Sequence, residues 1–302
     1  MAYILCGGSK ATVTVDGVEV EEDMNLVSGG VMDVSVSTLP YGFTNGSAVV
    51  KDNEIHLLGD SSNKTKHYKY NGTSWTSVST IPYGFYQGTA VVKDNEIHIL
   101  GGGQYTSEQK YHYKYNGSNW TSVSTLPYPL ISASAVVLQD EIHIMGTSDS
   151  SVSAYRTAHY RFNGSSWTWT STLPYQFYNY SAVVKDNEIH ILGGSATALY
   201  YYKYDGSSWI KATSIPYSFK KGSAVVHKDE IHILGSSESG KTTNHYKYNG
   251  SSWTSVSILP YEFYAGSAVV YNEVINILGG ATSPYNQHYE IAKPIYVKGG
   301  AA

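Results

Sequence analysis

The residue types that can carry chemistry are unevenly supplied in this chain of 302 residues, which has eleven histidines, 24 Asp+Glu, 29 tyrosines, two arginines and one cysteine. Ten of the histidines form two columns, His56, His98, His143, His190 and His232, then His67, His112, His159, His245 and His288. A metal needs its imidazole nitrogens ~2.0–2.1 Å away. Columns repeating every 42 to 47 residues put each member in its own sheet, and packed sheets stand ~10 Å apart. Packing is therefore the expected role, with no metal. Glu54, Glu96, Glu141, Glu188 and Glu230 form a third column, which Val274 breaks in the sixth copy. Catalytic carboxylate pairs face each other across ~5–9.5 Å, and a column of turn-edge residues does not, so solvated edge charges are expected. Cys6 alone excludes an intrachain disulfide and any multi-cysteine metal site. The chain carries no phosphate-cradling glycine loop that opens a helix and no nucleophile elbow. No cofactor is expected. A net charge of -4, from 20 Lys+Arg against 24 Asp+Glu, argues against nucleic acid as a partner.

These columns are positioned by a repeat. The tripeptide Leu/Ile-Pro-Tyr recurs with its proline at Pro40, Pro82, Pro127, Pro174, Pro216 and Pro260. Each copy continues with an SAVV-type run, a short polar turn, an EIHIL-type run ending in Gly, a variable stretch, a HYKY-type run, Asn-Gly and SWTSVST. These are four short runs rich in Val, Ile, Tyr, Trp and Thr, separated by turn signals, so the fold class is all-β. Four strands per 42 to 47 residues is the spacing of a propeller blade, and six blades round an axis bury both faces of each sheet. The strand-end Gly-Gly pairs (Gly101-Gly102, Gly193-Gly194, Gly279-Gly280), the following Tyr (Tyr70, Tyr115, Tyr204, Tyr248) and the later Trp (Trp75, Trp120, Trp167, Trp209, Trp253) resemble the kelch-repeat family over about residues 31–294. No Trp-Asp or Gly-His pair of the WD40 class occurs. The resemblance implies a six-bladed kelch-type β-propeller with four antiparallel strands per blade.

The sixth copy supplies only three strands, while Val31–Thr38 precedes Pro40 in the register of SWTSVST. The N-terminal strand is therefore expected to complete the last blade and close the ring. Asp33 stands there in the place of Trp, which predicts a weak seam. Residues 1–30 read as an N-terminal extension, residues 31–294 as the propeller and 295–302 as a C-terminal strand or tail. In the extension, Ala11–Val15 and Val18–Val20 flank Asp16-Gly17 as a hairpin that packs on the propeller, pairs with 295–297 or docks on another chain. An assembly contact through residues 1–30 is one expectation. The sequons at Asn71, Asn116, Asn163 and Asn249 read as turns, because Asn-Gly suits a two-residue type I′ hairpin and Asp205-Gly206 keeps the turn while losing the sequon.

Counting localises the variation. Pro to strand-two Gly is 19 residues in all six copies, and the strand-three aromatic to the next Pro is 12 in five. The connection between strands two and three is 11, 14, 16, 11, 13 and 12. Loops 2–3 and 4–1 share one face of the disc, and loops on a rigid scaffold carry function. Copies two, four and six also share a Tyr in the 4–1 loop (Tyr86, Tyr178, Tyr264) and another in the 2–3 loop (Tyr105, Tyr200, Tyr285). This alternation is a trace of duplicated blade pairs, retained or not as three tyrosine pairs around the channel mouth. Arg156, in the longest 2–3 loop, offers a fork for a carboxylate. The expected function is non-enzymatic recognition of a glycan or protein ligand through this face, as in a bacterial or phage surface-recognition protein. The rival is a mutarotase-like sugar-modifying enzyme at the channel mouth, the kelch family including mutarotases and copper-radical oxidases. The oxidase reading fails because Cys6 lies outside the blades. No run approaches ~18 apolar residues, and the start lacks a secretory signal pattern. The expectation is a cytoplasmic or virion-associated protein with no membrane insertion.

Overall fold

The computed structural model describes residues 10–15, 18–23, 31–146, 156–177, 179–194, 199–236, 242–280, 285–294 and 298–299, with side chains from 35 to 291 within those ranges. Six four-stranded antiparallel sheets stand around a central axis. Blade one runs outward through Ser47–Lys51, Glu54–Leu58, His67–Tyr70 and Trp75–Ser77. Blade four repeats it with Ser181–Lys185, Glu188–Leu192, Tyr201–Tyr204 and Trp209–Lys211. Burial follows from the central strands: Ile55, Leu57 and Leu58, like their counterparts in every blade, are fully enclosed. Each apolar cluster draws on two adjacent blades; Val49 and Leu58 of blade one, for instance, pack with Ile81, Phe85, Ile97 and Ile99 of the next unit. No blade buries both of its faces alone, so the ring is the unit of stability.

The last sheet is completed from the N-terminus, in the order Ser267–Tyr271, Val274–Leu278, Gln287–Pro294, Val31–Thr38. His288 faces Ser37 and Glu290 faces Val34, but the register slips between Glu290 and Lys293 and leaves Asp33 out of the ladder. In blade two the corresponding pair, Tyr115 and Trp120, is in register. The hairpin also forms, Lys10–Val15 against Val18–Asp23 with Val15 opposite Val18. A third strand joins it, Lys298–Gly299, whereas residues 295–297 and the turn 16–17 lie outside the described residues.

The 3–4 turn differs from the expectation. The type I′ geometry belongs to the 1–2 turns, where both central residues have positive φ, as in Asp52 (50°) and Asn53 (56°). In the 3–4 turn only the glycine is left-handed, Gly72 at 96°. The Asn71 side chain acts there as an acceptor, its Oδ1 taking the backbone N–H of Thr73 at 2.9 Å and of Ser74 at 3.0 Å. Asp205 substitutes freely because only the acceptor is used, its Oδ1 taking N–H from Ser207 and Ser208, each at 2.8 Å. Those donors hold its carboxyl down at about 2.

Candidate functional site

The Leu/Ile-Pro-Tyr motif shapes the 4–1 loops. Its leucine or isoleucine is buried, and the tyrosine hydroxyl donates to the carbonyl of the strand-two glycine, as Tyr83 does to Gly101 at 2.7 Å and Tyr261 to Gly279 at 2.8 Å. The next apolar residue (Phe43, Phe85, Leu130, Phe177, Phe219, Phe263) is sealed inside. The backbone then turns through a left-handed residue: Asn45, Gln87, Ser132, Asn179, Lys221 and Ala265 have φ between 51° and 57°. The following position is small in five of six copies, because a Cβ on Gly46 would come within 2.3 Å of the Phe43 ring. Tyr180 is the exception, buried and donating its hydroxyl to the Met145 carbonyl of the preceding blade.

This turn builds a closed ring. Each left-handed residue donates its N–H to the carbonyl of its counterpart one blade back: Gln87 to Asn45 (2.7 Å), Ser132 to Gln87 (2.8 Å), Asn179 to Ser132 (2.9 Å), Lys221 to Asn179 (2.9 Å), Ala265 to Lys221 (2.8 Å) and Asn45 to Ala265 (2.7 Å). A second tier lies beneath it, where Ser47 accepts from the Ala90 N–H and Ser223 from the Ala268 N–H at 3.2 and 3.0 Å. The six ring residues and their successors line a cup on the axis. The six ring residues bring three amides, a hydroxyl, a lysine and a methyl, their successors add Ala133 and Tyr180, and the Asn45 amide is oriented by donating to Ser61 Oγ at 3.2 Å.

Of the tyrosines expected at the channel mouth, Tyr86 and Tyr264 directly precede these residues and do not line the cup. Tyr86 and Tyr264 are half-buried, each beneath a lysine: Lys64 Nζ is 4.9 Å from the Tyr86 centroid and Lys221 Nζ 5.2 Å from that of Tyr264. Tyr178 lies outside the described residues. Tyr105 and Tyr285 are exposed, at 63% and 46%. Tyr200 packs against Tyr175 at 4.5 Å and is half-buried, so it belongs to a local aromatic cluster. Arg156 donates to Gln176 Oε1 at 3.3 Å. The residues that reach the axis are thus the ones that directly follow the 4–1 loop position at which copies two, four and six carry Tyr. The available signal was that this position changes type between copies immediately before a small residue.

The histidine columns meet inside each blade. His56 Nδ1 and His67 Nε2 are 2.8 Å apart, as are His98 and His112, His143 and His159, and His232 and His245. In blade four Tyr201 replaces the second histidine, and in blade six Asn276 replaces the first. The pairs continue outward: His112 and His159 meet Ser124 and Ser171 at 3.1 and 2.8 Å, and those hydroxyls accept the next blade's Trp167 and Trp209 Nε1–H, each at 3.0 Å. Burial pushes the strand-two histidines of blades one, two, three and five down to about 4 and their partners to about 3. Nor are the repeated glutamates free edge charges: Glu54, Glu96, Glu188 and Glu230 pair with Lys69, Lys114, Lys203 and Lys247, and Glu141 with Arg161.

No protein-family model matches the chain, and no curated protein matches it. Among solved structures, one titled "Structure of YjhT" is 16% identical, covers 87% of this chain and 99% of its own, and superposes with a TM-score of 0.71. That likeness shows the fold, a six-bladed β-propeller. Among the described residues no helix is long and apolar enough to cross a membrane.

Proposed function

We propose that this chain is a kelch-type propeller that recognises a glycan or protein ligand through the face carrying the 2–3 and 4–1 loops. One observation carries the reading: the cup is lined by side chains that change from blade to blade on a backbone repeated in all six. Exposed Tyr105 and Tyr285 extend that face with rigid aromatic surface, which suits ligand stacking. Arg156 and the tyrosines of copies two, four and six complete the proposed contact set, and the terminal three-stranded sheet is the proposed attachment to a larger assembly. Binding is favoured over mutarotation because acid–base catalysis needs a positioned proton donor and acceptor. The described cup lining offers only Lys221 and the buried Tyr180 as titratable groups, and burial raises the Tyr180 hydroxyl far above its ordinary range. The test is a glycan array followed by one-dimensional NMR of the bound sugar. Saturable binding with an unchanged anomer equilibration rate is expected; accelerated equilibration would establish the enzyme instead.

A further inference from the structure

We propose that the axial cup is a subsite for a small polyhydroxylated ligand bearing one negative charge, with Lys221 as its counter-charge. This rests on the reading that the 2–3 and 4–1 face binds ligand, and it names the chemistry of that ligand at the axis. Three observations carry it. First, the backbone N–H groups of the six left-handed residues are consumed in the blade-to-blade ring, so at these positions recognition falls to the side chains. Those side chains include one ionised group, Lys221, and among the described residues no carboxylate lines the cup.

Second, Lys221 is treated differently from the structural lysines. Seven lysines of the blades, such as Lys69, Lys93, Lys114 and Lys185, hold carboxylates within 2.5–3.0 Å or closer. Among the described residues no carboxylate meets the Lys221 ammonium, which lies 5.2 Å from the Tyr264 centroid. An aromatic face steadies a cation without neutralising it, so its charge stays available to a ligand. Third, the remaining groups match hydroxyls rather than a bare ion. Gln87 and Asn179 each present a donor and an acceptor, Ser132 a hydroxyl, and Asn45 an amide set in place by Ser61. Ala265, next to Lys221 in the ring, carries the smallest of the six ring side chains.

The experiment measures, by calorimetry at low salt where a surface charge is least screened, the binding of glucuronate and glucose 6-sulfate against glucose and glucosamine. The two anions separate a carboxylate from a sulfate ester. The unaltered protein should bind at least one of them at least tenfold more tightly than glucose. Lys221→Met should erase that preference, Lys221→Arg should retain most of it, and Lys66→Met, an exposed lysine off the cup, should leave it intact. Equal affinity for glucose and the anions, or a preference that survives Lys221→Met, overturns the assignment. The two readings fail separately: array binding of neutral glycans untouched by Lys221→Met overturns the charge assignment alone, whereas absence of any ligand on the face removes both.

Discussion

A buried histidine with both ring nitrogens engaged, such as His112, His159 or His288, is held in a fixed tautomer, because a neutral imidazole has one N–H and one bare nitrogen and the blade uses both. In blade three the chain of bonds runs from Trp209 Nε1–H to Ser171, from Ser171 to His159 Nδ1, and from His159 Nε2–H to His143 Nδ1. A second proton on His143 Nδ1 would set it against the His159 Nε2–H donor 2.8 Å away. The consequence is an acid-labile protein. The folded histidines titrate at about 3 to 4 against ~6.5 unfolded, so the unfolded chain binds more protons and stability falls as pH drops through 6.5. The carboxylates that contribute through lowered values, such as Asp205, act only below pH ~4, so a loss that begins near pH 6 belongs to the imidazoles. Blade six supplies the control: Asn276 Oδ1 accepts from His288 Nε2 at 2.8 Å while its amide donates to the Val274 carbonyl at 3.1 Å. Replacing His56, His98, His143 and His232 together by Asn should preserve the fold at pH 7.5 and move the acid-unfolding midpoint to lower pH. A midpoint that does not move, followed by circular dichroism, means that these pairs do not set the acid limit.

At the scale of elements, the closing strand joins two neighbours at once. Ser37 Oγ meets His288 Nδ1 at 2.8 Å within blade six and accepts the Trp75 Nε1–H of blade one at 3.0 Å. Ser37→Ala should cost roughly 1–3 kcal/mol, the range for a buried polar group left without its partner, measured by denaturant unfolding. Deleting residues 1–38 should aggregate the protein or abolish cooperative unfolding, since it bares Gln287–Pro294 as an edge strand; deleting residues 1–29 should be much milder. An unchanged melting temperature and a monomer after the longer deletion would sink the closure argument. The strand was legible in sequence because Val31–Thr38 keeps the spacing to Pro40 that SWTSVST keeps to its own proline. The 3–4 turn was misread because Asn-Gly suits two geometries, and the choice between them depends on Ser74 and its counterparts closing the loop. Which of two adjacent 4–1 residues faces the axis depends on a left-handed turn that no residue type in that position announces, and the small residue that follows in five copies is the one mark of it in the sequence.

For the whole molecule, the division of labour between the two ends of the disc predicts where change is tolerated. The 1–2 turns tie blades together, Lys93 reaching Asp140 of the next blade and Lys185 reaching Asp229, while the 3–4 turns are short self-contained loops. Replacing Ser74, Asn119 and Ser208 by Ala should therefore leave ligand affinity unchanged, because their backbone N–H groups, not their side chains, make the common turn contacts. Replacing Tyr105 and Tyr285 by Ala should weaken binding of the array-identified ligand about tenfold, since exposed aromatic contacts are worth ~0.5–1.5 kcal/mol each, with little loss of stability. Unaltered affinity in that double variant would remove the tyrosines from the recognition surface.

The ring of hydrogen bonds at the axis has an electrical consequence. Its six amide dipoles run nose to tail around a near-sixfold circle, and vectors arranged in that way sum to nearly zero. A helix end imposes a field on whatever approaches it; this hoop imposes almost none. The potential at its centre is therefore set by the side chains that line the cup, and exchanging one residue, Ala265 for an acid or Lys221 for an amide, would cancel its net positive charge without disturbing the backbone that holds it.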